Sequence, residues 1–165
     1  MSRAEPALVP IIFTPDFTPV RATVSHRLIA LAVALACLAP LVVATRLTPT
    51  PTGVGTHSEM GFARCQFLDR TGLPCPTCGM TTSFAWFARG NLLASAYVQP
   101  MGFVGALLAA AGFWVGLYIA ISGRPVIRLL QMVHYRYYLI PLLTLAVGAW
   151  GWKMFLILHH IDGWR

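Results

Sequence analysis

Three stretches of this sequence are almost free of charge, and each is about as long as a lipid bilayer is thick. Leu28–Thr45 carries none and is bracketed by Arg27 and Arg46; Met101–Ile121 carries none and ends before Ser122-Gly123-Arg124-Pro125. Tyr138–Leu158 carries a single charge, Lys153. A helix rising 1.5 Å per residue needs about 20 apolar residues to cross about 30 Å of hydrocarbon. Lipid offers the backbone no hydrogen-bond partner, so isolated spans of this kind must be helical. The composition agrees, with 57% hydrophobic and 10% charged residues, against a usual charged share of about 25%. A disordered chain, a coiled coil and a disulfide-dense miniprotein are excluded. Twelve basic residues face five acidic ones for a net charge of +7. The arginines border the apolar runs, however, and do not gather into the single basic face that nucleic-acid binding requires.

The expected fold is an all-α integral membrane protein. It has transmembrane helices at about 28–45, 101–121 and 138–158, joined between the first two by a Cys-containing loop over 46–100. Residues 1–25, with Pro6, Pro10, Pro15 and Pro19, read as a disordered tail before a single membrane domain, 26–165. The first run starts late and no small-residue cleavage site follows it, so it reads as a span and not as a cleaved signal. Arg21 and Arg27, with Arg124, Arg128 and Arg136, are dense near the helix ends, whereas Arg46, Arg64, Arg70 and Arg89 are spread along the long segment. By the positive-inside rule the N-terminus is cytoplasmic and the loop and C-terminus lie outside. Lys153, near the end of its span, is expected to snorkel to the interface.

The loop is far longer than a helix–helix connection needs, and three of the four cysteines fall within it: Cys65, Cys75 and Cys78. Cys37, inside the first run, reads as a small buried hydrophobe. Gly79–Arg89 suggests a short amphipathic helix, and Asn91–Pro100 a short re-entrant or interfacial helix between breaks at Gly90 and Pro100. Three chemistries suit the thiols. Cys65, Cys75 and Cys78 can serve as three ligands of a zinc ion, which takes four N/S donors in structural sites; His57, His159 or His160 would be the fourth. Cys75 and Cys78 at a helix start can form a reactive dithiol, because a helix N-terminus stabilises a thiolate. A disulfide from Cys65 would instead pin the loop, stabilising it by about 2–4 kcal/mol. No phosphate-binding Gly-rich loop, Ser/His/Asp grouping or His-Glu-x-x-His is present, and the five carboxylates are scattered.

The run Gly72-Leu-Pro-Cys75-Pro-Thr-Cys78-Gly-Met-Thr81, followed by Gly90-Asn91, Ala96 and Gln99-Pro100, resembles the signature of the family called "domain of unknown function 2752". The resemblance runs from Cys65 to the end of the second span and implies a small membrane protein of the bacterial inner membrane. The chain carries Thr82 where the pattern usually has Arg, Asn91 where Asp is common, and Gln99 where Asn is common. The expected function is a multi-pass structural or accessory membrane component, without enzymatic activity, whose three-Cys loop is fixed by a disulfide or by zinc. Its partners would be the lipid bilayer and another membrane protein, with no nucleic acid. The alternatives are a membrane thiol–disulfide oxidoreductase using Cys75 and Cys78, and a transporter or channel subunit.

Overall fold

A computed structural model describes residues 22–124, 136–159, 161 and 164. The expected tail therefore lies outside the described residues except for its last four, and helix begins already at Val24. In chain order the elements are α1 (Val24–Arg46), a 3-10 turn (Thr56–Met60), α2 (Gln66–Thr71), α3 (Met80–Ala88), α4 (Leu92–Val98), α5 (Pro100–Ser122) and α6 (Arg136–Leu158). Among the described residues there is no strand. Three of the helices, α1, α5 and α6, are long and apolar enough to cross a membrane. They expose Leu28, Ile29, Leu108, Trp114, Ile121, Ile140 and Leu143, a surface that suits lipid and not water.

Local signals set the helix ends. Pro100 occupies the first turn of α5, where a missing N–H costs nothing. Gly123 ends the helix in the left-handed region, φ 68°, with its N–H donated to Ile119 O. Pro40 and Pro141 sit inside α1 and α6.

Helices α1 and α5 form an antiparallel hairpin held by shape. A Cβ added to Gly116 would lie 2.8 Å from Ala30 O and 3.0 Å from the Ala34 Cβ, and one added to Gly112 would lie 2.9 Å from Cys37 Sγ. Gly112 and Gly116, four apart on one face, thus remove the bulk that would otherwise separate the helices, the usual solution where lipid provides no hydrophobic drive. Cys37, expected to be buried, is half-buried and faces the notch at Gly112. Arg27 closes the other end of the hairpin, donating from Nε to Ala120 O (2.7 Å) and from Nη2 to Ile121 O (3.0 Å).

Beneath the loop, α3 and α4 form a small helical pair against the start of α5. Ser83 Oγ donates to Ser95 O (2.9 Å) and Ser95 Oγ returns a bond to Ser83 O (2.8 Å), with both serines fully buried. These mutual bonds satisfy polar groups that could not otherwise be buried. Gly102 lets α5 come close enough, since a Cβ there would meet the Ser83 Cβ at 2.8 Å. The two short helices expected from the sequence are thus present, and Asn91 starts the second by accepting the Ala94 N–H at 3.0 Å. Asn and Asp are both favoured for that capping role.

Helix α6 is attached differently. Its C-terminal half reaches the loop through side-chain donors: Trp150 Nε1 to Pro74 O (3.0 Å), Trp152 Nε1 to Tyr97 O (2.8 Å) and Lys153 Nζ to Gly53 O (2.9 Å) and Val98 O (3.1 Å). A Cβ added to Gly148 or Gly151 on α6 would meet nothing within 4 Å.

Candidate metal centre

Each cysteine of the trio is positioned by a turn. Cys65 is the N-cap residue of α2, and its carbonyl accepts the Asp69 N–H at 3.0 Å. Cys75 begins a tight turn in which Cys78 N–H donates back to Cys75 O at 3.0 Å, so both side chains point to the same side. Gly79 then takes the left-handed conformation, φ 88°, as the N-cap of α3. No other residue fits there: a Cβ would lie 2.7 Å from Gly53 O and 3.0 Å from Lys153 Nζ. The glycine is needed both for its backbone angle and for the close approach of two other segments.

The three thiols converge. Cys75 Sγ lies 3.2 Å from Cys78 Sγ and 3.5 Å from Cys65 Sγ, and all three sulfurs lie within 4.8 Å of one another. Thiolates bound to one zinc ion at 2.3 Å in tetrahedral geometry stand about 3.8 Å apart. A metal-bound triad therefore requires shifts of only tenths of an ångström in the two measured pairs. Cys65 and Cys75 are half-buried and Cys78 is buried. They line a cavity of about 710 Å³ together with His57, Arg64 and Asp69.

The two cysteines of the turn differ in acidity. Burial raises the Cys75 thiol, but hydrogen bonds with Thr77, Cys78 and Cys65 favour its thiolate and bring it down to about 7. Burial pushes Cys78 up to about 12, reinforced by its hydrogen bonds with Cys75 and Cys65. Cys75 is therefore the more acidic thiol of the pair.

Among the described residues the sulfur cluster contains only the three thiols, and His57 and His159, expected as further ligands, are not part of it. His57 lines the same cavity, yet its Nε2 lies 3.2 Å from Ala63 O. His159 packs its ring against Phe155, 4.5 Å between centroids. His160 lies outside the described residues.

Supporting contacts that the sequence did not reveal surround the turn. Gln99, fully buried, donates from Nε2 to Pro76 O at 3.0 Å, holding the peptide between the two cysteines. Thr82 and Thr56, also fully buried, share a 2.8 Å hydroxyl–hydroxyl bond that ties α3 to the 3-10 turn. Lys153 does not snorkel: it is 2% exposed and turned into the loop. Gly53 and Gly79 make room for it: both have positive φ, and a Cβ on either would lie 3.0–3.1 Å from Nζ.

With this geometry in hand, the comparison with known families bears on the same segment. Residues 65–113 match the family described as "Protein of unknown function (DUF2752)". The match begins at the first cysteine of the trio and ends inside α5, in agreement with the resemblance read from the sequence. It contains all three thiols, Gly79 and Gln99, while Trp150 and Lys153 of α6 lie beyond it. No curated protein and no solved structure matches the chain.

Proposed function

We propose that this chain is a multi-pass membrane component, without catalytic turnover, whose loop between α1 and α5 is fixed by one zinc ion on Cys65, Cys75 and Cys78. The observation that carries this reading is the convergence of three sulfurs from two separate turns, with 3.2 and 3.5 Å separations. Zinc needs its thiols deprotonated and its ligands drawn together, and its binding energy then becomes folding energy for the loop. The ion would link α2 to the start of α3, and the hydrogen bonds from Trp150 and Lys153 extend that rigidity to α6. The three cysteines line a cavity with His57, from which water or that imidazole would supply a fourth ligand. In the arginine-based orientation the loop lies on the extracytoplasmic face of a bacterial inner membrane, in contact with lipid and with a neighbouring membrane protein.

The acidity difference between Cys75 and Cys78 favours a second reading, a thiol–disulfide oxidoreductase. A nucleophile near 7 beside a buried partner near 12 is the division of labour that a redox pair uses. Alkylation followed by mass analysis separates the two. Under the zinc reading all three loop cysteines are protected as isolated, and chelation opens the cluster to alkylation, Cys75 first. A Cys75–Cys78 bond that opens and closes with added quinone would replace it with the redox reading. Alkaline-phosphatase fusions after Thr82 test the orientation: active fusions agree with an external loop, and inactive ones reverse it.

A further inference from the structure

We propose that Lys153, which supplies no ligand, is the counter-charge of the three-thiolate centre, so that α6 takes part in metal binding through its ammonium group. This inference rests on the metal reading above. Lys153 is 2% exposed, and both hydrogen-bond acceptors of its Nζ are neutral carbonyls, Gly53 O and Val98 O. An ammonium has a third N–H, and Gly79 stands close beside it: a Cβ there would lie 3.0 Å from Nζ. Gly79 directly follows Cys78, the most buried thiol of the trio. The charged groups of the cavity, Arg64 and Asp69, are exposed and face solvent.

A buried cation with only dipoles for partners is costly, and an anion nearby offsets that cost. The charge arithmetic of the cluster supplies one. Three thiolates around a divalent ion with a neutral fourth ligand carry a net charge of −1, which Lys153 brings to zero. The same three sulfurs bound to arsenic(III) form a neutral group: arsenous acid and three thiols give a tris-thiolate and three waters, with no charge for Lys153 to balance. The two ligands share every sulfur and every turn of backbone and differ in net charge.

That difference is the test. Lys153→Met keeps the length and apolar body of the side chain and removes the charge. Zinc affinity, read by competition with a chromophoric chelator at about pH 6 where unpaired thiols are protonated, is expected to fall about 10- to 100-fold, the usual scale for losing an outer partner of a metal site. Arsenic(III) affinity, read by its sulfur-to-arsenic absorbance, is expected to change less than about threefold. Equal losses for both would show that Lys153 only shapes the loop, and no loss for either would show that its charge is irrelevant; each result overturns the proposal. Trp150→Phe, which removes a neutral anchor of the same loop, is expected to shift both ligands alike. A wild-type protein that binds arsenic but not zinc would instead sink the metal reading itself.

Discussion

The α1–α5 hairpin and the α6–loop junction join helices by opposite means. In the hairpin, Gly112 and Gly116 meet Cys37, Ala34 and the Ala30 carbonyl, and among the described residues the polar bonds lie at one end, from Arg27 to Ala120 O and Ile121 O and from Ala22 N–H to Gly123 O. At the junction α6 is held by three donors aimed at backbone carbonyls. Shape alone suffices for two apolar helices in lipid. A hydrogen-bonded junction makes the third helix responsive to whatever holds the loop, and the three thiols are what the loop holds.

The widest contrast at the junction is chemical. In metal-free protein Cys75 is expected to reach half-maximal alkylation near pH 7, because reactivity rises as pH passes through its depressed thiol value of about 7. Cys78, raised to about 12, stays several orders of magnitude slower through neutral pH; comparable rates for the two would refute the asymmetry. Next, Gly79→Ala forces a Cβ against Gly53 O at 2.7 Å in a left-handed backbone and is expected to cost about 3 kcal/mol, measured by unfolding in detergent. A loss below 1 kcal/mol would mean that the turn is not locked by α6 and the loop.

Glycines also separate the two regions directly. Gly116→Val pushes α1 from α5 and should cost about 2 kcal/mol, whereas Gly148→Ala meets nothing within 4 Å and should be neutral or slightly stabilising. Equal effects at both positions would erase the distinction between a packed and a hydrogen-bonded helix. The smallest expected effect is that of Trp150→Phe. Losing the bond to Pro74 O should cost about 1 kcal/mol and speed Cys75 alkylation, with the α1–α5 hairpin unaffected.

Much of this was legible in the sequence because it is local. Charge-free runs mark the spans, Gly90 and Pro100 bound the short helix α4, and three cysteines within fourteen residues mark the cluster. The hairpin contact could have been read from Gly112 and Gly116, a small-residue spacing on one helix face. The direction of Lys153 could not. A lysine five residues from a helix end has equal geometric access to the interface and to the loop, and the choice is made by Gly53, a hundred positions away in the chain. The burial of Thr82 against Thr56 is hidden for the same reason: a threonine pair gives no pattern until the 3-10 turn folds over α3.

The central claim is that Cys65, Cys75 and Cys78 bind one metal ion together, and the most direct test is elemental analysis of protein purified without added chelator. One zinc per chain is expected in the wild type, lost in Cys75→Ser and in Cys65→Ser alike, since the two residues come from separate turns of one site. Metal-free wild-type protein with an intact disulfide among the three cysteines would contradict it.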